Sequence, residues 1–334
     1  MRKVTHSLML IAAAITFFTG VAACTGNTPK KYDEGSALLY ADEGFKSFIE
    51  QEREVFEYQY PNAFILTKYM SETDAVNGLL NDSCSLAVLS RPLTKEQIEY
   101  IRGKNNRVAR QQEIAVDAVA LIVNKDNPVN MLSEQEIRDL FSSKITSWTQ
   151  LAWNDTTPVK LVFDRQGSAN VNFIEDKFLA KGAKFPANTY AQKNTADVIK
   201  VVERDKSAIG LVSVSWLGDN LERLQNDYSK DAMDTGKLAS LQSETDTIAV
   251  DFTDKVKVLK VRKDDSPIGY KPYQAYISSG EYPLFRVVYM VSTAATNSVG
   301  QSFFSFVTGF TGQKILSLTG IMPYMVHQRI IELN

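Results

Sequence analysis

Apolar and polar residues alternate along this chain in stretches that predict strands and helices in turn. Apolar residues recur at helical spacing from Phe45 to Tyr60, and Pro61 is predicted to end that helix. Residues 115–124 form a nearly continuous apolar run, which is typical of a buried strand. Because strands and helices follow one another with short connections, the sequence predicts an α/β protein with largely parallel strands.

The remaining predicted elements continue this alternation. Strands are predicted at residues 36–41, 63–70, 86–89, 159–163, 208–214, 256–261 and 285–292. Helices are predicted from residue 71 and at residues 94–101, 133–141, 168–179, 195–204 and 298–318. Gly309 and Gly312 are expected to break the last helix. Residues 217–246 are polar and poorly periodic, which predicts an irregular insertion or loop.

The N-terminus carries a targeting signal. Arg2 and Lys3 precede an uncharged, largely apolar run at residues 8–23, which at about 1.5 Å per residue is too short to span a bilayer. A charged start, a short apolar run and small residues before a cleavage point indicate a secretory signal peptide. The run ends Val-Ala-Ala-Cys at Cys24, which resembles a bacterial lipobox and implies a signal peptide at residues 1–23 and a lipid on Cys24. The alternative is an ordinary signal peptide that contains a cysteine.

Cleavage after residue 23 would leave few reactive side chains. His327 is then the only histidine and Cys84 the only free thiol. Neither a disulfide scaffold nor a metal cluster is expected, and no cofactor is predicted. Small polar residues after Cys24 predict a tether at residues 24–35 that holds the protein to a membrane outside the cytoplasm.

Length and charge narrow the function classes further. The 334 residues suffice for two domains of ordinary size. The chain has 37 basic and 39 acidic residues, a net charge of −2, which argues against a strongly basic nucleic-acid binder. It has no Walker loop and no dinucleotide-binding glycine pattern. An enzyme such as a phosphatase is disfavoured, because the sequence offers no histidine cluster, activated serine or evident metal-binding set.

Residues 114–148 resemble the central signature of the substrate-binding proteins of phosphate ABC importers. The matching features are the apolar strand at 114–124, an Asn-Pro turn at 127–128 and a helix that ends in Phe-Ser-Ser-Lys-Ile before Trp148. Other segments match in the same order, namely Ser-Arg-Pro-Leu at 90–93, Gly-Ser at 167–168, Ala-Ile-Gly-Leu-Val at 208–212 and Tyr-Pro-Leu-Phe-Arg at 282–286. The resemblance covers residues 36–320.

The resemblance implies the type II periplasmic binding protein fold, in which two α/β lobes joined by two hinge strands enclose a ligand cleft. The chain would cross between the lobes near Ala115 and return near Tyr282. Lobe one then comprises residues 36–114 and 285–334, and lobe two comprises residues 115–284. Closure of the hinge around a ligand is the expected motion.

Two segments of lobe one are candidate anion contacts. Family position implies backbone N–H contacts from Gly44 and Phe45 and a hydroxyl contact from Ser71. The alternatives are a plain strand-to-helix turn at the first segment and an ordinary helix N-cap at the second. Asp42 and Glu43 would repel a dianion unless protons or cations intervene, which weakens a simple phosphate assignment.

A third candidate segment is Ser90-Arg91. Many family members have Asp after this Ser, and here the position holds Arg91, whose alternative role is that of a surface arginine. The family pairs that Asp with an Arg in a second loop, where this chain has Asp164. We therefore expect a swapped ion pair between Arg91 and Asp164 across the cleft, and Arg91→Ala should then weaken binding strongly.

The fourth segment is that second loop, Asp-Arg-Gln-Gly-Ser-Ala-Asn at residues 164–170, where the family has Arg, two variable residues and Gly-Ser-Gly-Thr. Helix starts supply backbone N–H groups to anions. The ligand-binding candidates here are Asp164, Arg165, Gly167, Ser168, Ala169 and Asn170.

Together these observations predict a lipid-anchored periplasmic receptor that binds inorganic phosphate or a related small oxyanion and passes it to an ABC permease in the inner membrane. It would be a monomer, would perform no covalent chemistry and would bind no nucleic acid. The alternative is a divergent lipoprotein of the same fold that has another ligand and acts as a sensor or adaptor in an envelope complex. Asp42, Glu43, Asp164 and the missing loop glycine favour that alternative.

Overall fold

A computed structural model describes residues 32–218, 226, 229–242 and 252–325 of the protein. The predicted signal peptide, Cys24, most of the predicted tether and His327 lie outside the described residues. Within the described residues, no helix is both long and apolar enough to cross a membrane.

Strands and helices alternate through most of the chain. The strands are β1 (Glu34–Asp42), β2 (Asn62–Met70), β3 (Leu86–Leu89), β4 (Arg110–Val123), β5 (Met131–Ser133), β6 (Lys160–Phe163), β7 (Thr189–Ala191), β8 (Ala208–Ser213), β9 (Lys257–Val258), β10 (Lys260–Arg262), β11 (Gly269–Tyr270), β12 (Phe285–Ser292) and β13 (Met322–Pro323). The helices are α1 (Lys46–Gln59), α2 (Glu72–Leu80), α3 (Lys95–Asn105), α4 (Glu134–Phe141), α5 (Ala169–Phe178), α6 (Thr195–Arg204), α7 (Thr235–Gln242), α8 (Gln274–Ser278), α9 (Val299–Thr308) and α10 (Phe310–Leu318).

The described strands form a ten-stranded sheet that spans both lobes, in which β9 and β13 also pair with β4, and a separate three-stranded sheet of β11, β10 and β5. The order in the larger sheet is β2-β1-β3-β12-β4-β8-β6-β7. Strands β1, β2 and β3 run parallel in lobe one, and β6, β7 and β8 run parallel in lobe two. Strand β4 is antiparallel to β12 along its first part and to β8 at residues 119–123, so it belongs to both lobes. The predicted α/β class and two-lobed fold are confirmed.

The two connections between the lobes lie side by side. The backbone N–H of Val119 donates to the carbonyl of Leu284 at 2.8 Å, and the hydroxyl of Tyr282 donates to the carbonyl of Val119 at 2.8 Å. The partner of β4 changes from β12 to β8 between Ala118 and Val119. The lobe boundaries drawn from the sequence at 114/115 and 284/285 stay predictions.

Each lobe has its own aromatic core. Phe48, Phe56 and Phe303 are fully buried in lobe one, and Phe141 and Trp148 are buried in lobe two. These packed cores allow each lobe to act as a rigid support for the residues at the interlobe junction.

Two predictions about the C-terminal half have different outcomes. The predicted helix at 298–318 is broken at Gly309, between α9 and α10, but the break expected at Gly312 is wrong, because Gly312 lies inside α10. The expectation that residues 217–246 lack regular structure is wrong for α7. Met233 and Leu241 of this region pack on Val55 of α1, so tertiary contacts stabilise a helix that the local pattern does not indicate.

Candidate functional site

The candidate site lies where the end of β1 meets lobe two. The side chain of Asp42 is fully buried. Its Oδ1 accepts a hydrogen bond from the backbone N–H of Gly44 at 2.9 Å, and its Oδ2 accepts one from the N–H of Ala169 at 2.9 Å. Since Ala169 begins helix α5, a lobe-one carboxylate caps a lobe-two helix.

Glu43 makes the same kind of contact with a second lobe-two helix. Its Oε2 accepts hydrogen bonds from the backbone N–H and the hydroxyl of Thr195, both at 2.8 Å. Thr195 is the first residue of α6. Two consecutive acidic residues therefore hold the start of two helices of the opposite lobe, where the helix dipoles favour negative charge.

Arg286 supplies the positive charge of the junction. Its Nε and Nη2 donate to Oδ2 of Asp117 at 3.1 and 2.9 Å, and Nη2 also donates to Oδ1 of Asn170 at 2.9 Å. The guanidinium lies over the ring of Phe45 at 5.1 Å. The side chain is 3% exposed, and among the described residues its buried Nη1 has no hydrogen-bonding partner.

Asp164 is bonded within its own loop. Its Oδ1 accepts from the hydroxyl of Ser168, and its Oδ2 accepts from Nδ2 of Asn170 at 3.0 Å. Ser168 also caps α5, because its Oγ accepts from the N–H of Val171 at 3.2 Å. The predicted segment from Asp164 to Asn170 is thus brought to the junction beside Arg286.

The buried carboxyls of the junction retain protons more readily than free ones. Burial, followed by the charge of Asp164, raises the pKa of Asp42 to about 8. Burial also raises the pKa of Asp164 to about 6, and the charge of Glu43 adds to the rise. The guanidinium of Arg286 opposes both rises in pKa. The junction therefore holds more acidic groups than its one buried arginine can neutralise.

A chain of hydroxyl groups continues below Asp117. Oδ1 of Asp117 accepts from the hydroxyl of Ser213 at 2.7 Å, and the hydroxyls of Ser213 and Ser215 lie 2.9 Å apart. Ser47 of α1 donates to Ser215 at 2.7 Å. Nε1 of Trp216 donates to the carbonyl of Gly44 at 2.8 Å. These contacts fix the short turn after β1 against lobe two.

Ser71 is the N-cap of α2 and faces the Gly167 loop. Its hydroxyl donates to Oδ2 of Asp74 at 2.7 Å and accepts from the N–H of Asp74 at 3.2 Å. Gly167 has φ +70°, a backbone conformation that favours glycine, and a Cβ there would lie 3.2 Å from Oγ1 of Thr73. The carbonyl of Gly167 accepts from the N–H of Thr73 at 3.4 Å.

Ser90 is reached by a third carboxylate that bridges the lobes. Its backbone N–H and its hydroxyl both donate to Oε1 of Glu72. Oε2 of Glu72 accepts from Nδ2 of Asn172 on α5 at 2.9 Å. Ser90 is therefore close to the predicted loop of lobe two but is engaged by Glu72.

The expected ion pair between Arg91 and Asp164 is wrong. Arg91 folds back over the start of α3, where Nη1 donates to the carbonyl of Pro92 at 3.0 Å and to Oε1 of Gln97 at 3.2 Å. Asp164 finds its partners in its own loop, and the buried cation near it is Arg286. Arg91 borders a small cavity between the lobes, of about 290 Å³, with Glu72, Ser90, Asn172, Phe173, Asp176 and Lys177.

The charge of Arg165 acts on Glu43, where burial is the main cause of the raised pKa, and the buried Nε of Arg165 has no hydrogen-bonding partner among the described residues. Its Nη2 donates to the carbonyl of Lys193 at 3.2 Å, and its charge lowers the raised pKa of Glu43. Its charge therefore favours the ionised form of the carboxyl that contacts the start of α6.

Sequence reasoning gave no role to Arg286, Asp117, Glu72 and Thr195. The resemblance placed Arg286 within its return-strand segment, and Asp117 is an acid within an otherwise apolar strand. That buried acid was a signal, because a charge in a buried strand requires a partner. Among the described residues, no group of three or more histidine, cysteine, aspartate or glutamate side chains is arranged to hold a metal ion.

Comparison with known proteins agrees with this architecture. The phosphate-binding protein PstS of Pseudomonas aeruginosa is 21% identical to this chain. The match covers 97% of this chain and 95% of the length of PstS. Protein SphX of Synechococcus elongatus is 27% identical over 57% of this chain and 58% of its own.

Two solved structures share the fold. A Clostridium perfringens protein with bound phosphate, assigned to the phosphate ABC transporter substrate-binding proteins, matches with a TM-score of 0.68 and 20% identity, covering 87% of this chain and all of its own. An ABC-type phosphate transport receptor of Vibrio cholerae matches with a TM-score of 0.59 and 15% identity. The match covers 86% of this chain and 100% of the receptor chain. The sequence matches the PBP superfamily domain over residues 37–309, and the chain therefore belongs to the periplasmic binding protein superfamily.

Proposed function

We propose that this protein is an extracytoplasmic receptor that captures inorganic phosphate, or a related small oxyanion, between its lobes. The observation that carries the proposal is Arg286, a buried cation beside the start of α5 whose Nη1 has no partner among the described residues. A buried guanidinium with a free donor suits an oxyanion, because charge-assisted hydrogen bonds are strong in a dry site.

The surrounding donors support the same ligand class. The backbone N–H groups of Gly44 and Ala169 both donate to the oxygens of one carboxyl group, which supports an oxygen-rich anion as the ligand. Ser168 and Asn170 add a hydroxyl and an amide at the start of the same helix. An anion at a helix start is stabilised by the free N–H groups and by the helix dipole.

The relatives support phosphate within that class. The Pseudomonas aeruginosa and Bacillus subtilis relatives, each 21% identical over 97% of this chain, are named phosphate-binding proteins. Transfer of the ligand to an ABC permease, without covalent chemistry, is the role that follows for a receptor of this kind.

The proposal includes the position of the protein in the cell. A lipid on Cys24 would hold a monomeric receptor to a bacterial membrane on the periplasmic side, with the tether leading to the start of β1. Mass spectrometry of the membrane-purified chain tests the anchor directly, because a diacyl modification at Cys24 adds a defined mass that Cys24→Ser removes.

Calorimetric titration tests the ligand. The full chain, purified in mild detergent and refolded to remove bound ligand, is titrated with phosphate, arsenate and sulfate. We expect one-to-one binding of phosphate, at least tenfold weaker binding by Arg286→Lys, and a change of less than threefold for the control Arg91→Ala. Arg91 is the matched control because its Nη1 donates to Pro92 and Gln97 at the start of α3.

The second candidate is a receptor-fold sensor or adaptor with another ligand. Asp42 favours it, because this carboxylate takes the N–H groups that a phosphate would need. An absence of heat with all three oxyanions, from protein that circular dichroism shows to be folded, would support this alternative and contradict phosphate capture.

A further inference from the structure

The backbone N–H groups of Gly44 and Ala169 are both used by one side chain of the protein. The sequence makes both groups candidate ligand contacts, Gly44 by family position and Ala169 by its place at a helix start, and in the structure both donate to Asp42, each at 2.9 Å. Each oxygen of the Asp42 carboxyl accepts a hydrogen bond from one of these two backbone groups. We call these two groups the N–H pair.

We propose that Asp42 is a built-in competitor, whose carboxylate occupies the N–H pair and must be displaced before an oxyanion binds there. The inference rests on the proposed function, because the external ligand is taken to be an oxyanion at the same place. Asp42 would then lower the affinity of the protein for the oxyanion by competing with it for the same two backbone N–H groups.

The position of the carboxylate argues for competition rather than for a separate structural role. Asp42 belongs to lobe one and Ala169 begins the ten-residue helix α5 of lobe two, so the contact spans the cleft. The carboxyl group is planar, and its two oxygens receive the N–H pair as two oxygens of a bound oxyanion would. The fully buried side chain leaves no room for a second anion at that point.

Charge in the junction makes the displacement feasible. Asp42 lies near Asp164, whose charge acts against its ionisation, and both feel the guanidinium of Arg286. An incoming tetrahedral oxyanion offers more acceptor oxygens than a carboxylate, and the Nη1 donor of Arg286 has no partner among the described residues. Net affinity is then the difference between the oxyanion and Asp42 at one site.

Chemical rescue tests the inference separately from phosphate capture. The full chain and its Asp42→Ala, Asp42→Ser and Glu43→Gln variants are heated with formate, formamide or phosphate, and phosphate binding is measured by calorimetry. Formate supplies the two missing carboxyl oxygens, and formamide has similar size but only one acceptor oxygen. Glu43→Gln is the matched control, since it removes a neighbouring carboxylate and leaves the N–H pair occupied.

We expect formate, but not formamide, to raise the melting temperature of the two Asp42 variants by several degrees. Formate should not stabilise the unchanged protein or Glu43→Gln. Phosphate should bind Asp42→Ala at least tenfold more tightly than it binds the unchanged protein. If formate stabilises the Asp42 variants but phosphate binds none of the proteins, Asp42 still occupies the N–H pair as proposed. That result would contradict the proposed function, phosphate capture, instead.

Two results would overturn the inference. The first is that formate does not raise the melting temperature of the Asp42 variants. The second is that phosphate binds these variants more weakly than it binds the unchanged protein, which would make Asp42 a contact of the ligand. If neither variant folds, the carboxyl ¹³C resonance of Asp42 in the unchanged protein decides. Phosphate must shift it if Asp42 is displaced, and an unmoved resonance at saturating phosphate rejects displacement.

Discussion

Arg286 and Asp117 are direct cross-strand partners at the point where the two lobes meet. They lie opposite each other in the register of β12 and β4, and two hydrogen bonds of 3.1 and 2.9 Å join their side chains. Both side chains are buried. The pair therefore links the strand that leaves lobe one to the strand that returns to it.

Removing one member of this pair should destabilise the protein strongly. Arg286→Met leaves the Asp117 carboxylate buried without its cation, and we expect the free energy of unfolding to fall by about 3–5 kcal/mol. Urea denaturation measures the change. The double variant Arg286→Met/Asp117→Leu should recover most of the loss, because neither member of the pair is then left buried without the other. Equal losses in the single and double variants would show that packing, not charge, determines the effect.

Stability should decrease as pH rises from about 4 to about 8. The pKa values of Asp42 and Asp164 are raised from 3.8 to about 8 and about 6, so in this window the folded chain keeps protons that the unfolded chain releases. The guanidinium of Arg286 opposes the rise in pKa of both groups, and the charge of Glu43 adds to the rise in pKa of Asp164. Melting temperatures between pH 4 and 9 provide the measurement.

Two Asp→Asn variants, one in the junction and one on the surface, test whether Asp42 causes this pH dependence of stability. Asp42→Asn should flatten the slope between pH 6 and 8, because its side chain takes up no proton. Asp126→Asn should leave that slope unchanged, since Asp126 is exposed and its pKa is lowered by Lys206. A slope that Asp42→Asn does not alter would assign the titration to other groups.

Glu52 should cost the protein stability. Its side chain is fully buried on α1, and among the described residues neither carboxyl oxygen has a hydrogen-bonding partner. Burial raises its pKa well above the ordinary value, so the group is held neutral. Glu52→Met should increase the free energy of unfolding by about 1–3 kcal/mol. The control Glu99→Met, at an exposed position of α3, should change it by less than about 0.5 kcal/mol, and a loss in Glu52→Met would reveal a structural role for the carboxyl.

Gly167 should tolerate no side chain. Its φ is +70°, and a Cβ at this position would approach Oγ1 of Thr73 to 3.2 Å, so Gly167→Ala is expected to lose about 1–2 kcal/mol. Gly103→Ala is the control, because a Cβ there meets nothing within 4 Å and alanine favours the helix, so a gain of about 0.5–1 kcal/mol is expected. Calorimetric melting of both variants checks the contrast, and equal behaviour would contradict it.

Local features of this fold could be predicted from the sequence because they depend on neighbours in the chain. Helices α3 and α4 begin where they are predicted, each capped through a box of neighbouring residues at Thr94 and Ser133, and a helix break falls at Gly309. Of the segments expected at the site, the turn that contains Gly44 and the loop at residues 164–170 lie together, whereas Arg91 does not join them.

Contacts between distant residues could not be predicted in the same way. Asp42 was expected to repel an anion, whereas it takes the N–H group of Ala169, 127 residues away. Arg91 has a nearby partner in Gln97, and this local bond prevails over the expected cross-cleft pair with Asp164. Which acid receives which donor depends on how the lobes pack, and a linear pattern does not contain that information.

The sharing of β4 between the lobes has a consequence for the order in which the protein folds. Lobe one requires β12, which fits between β3 and β4 in its sheet, so its first three strands wait for a strand near the end of the chain. The sheet of lobe two, in contrast, uses strands from β4 to β9 that are contiguous in the chain. As the chain is synthesised from its N-terminus, lobe two is therefore complete first, and β1, β2 and β3 spend that interval with one sheet edge unpaired.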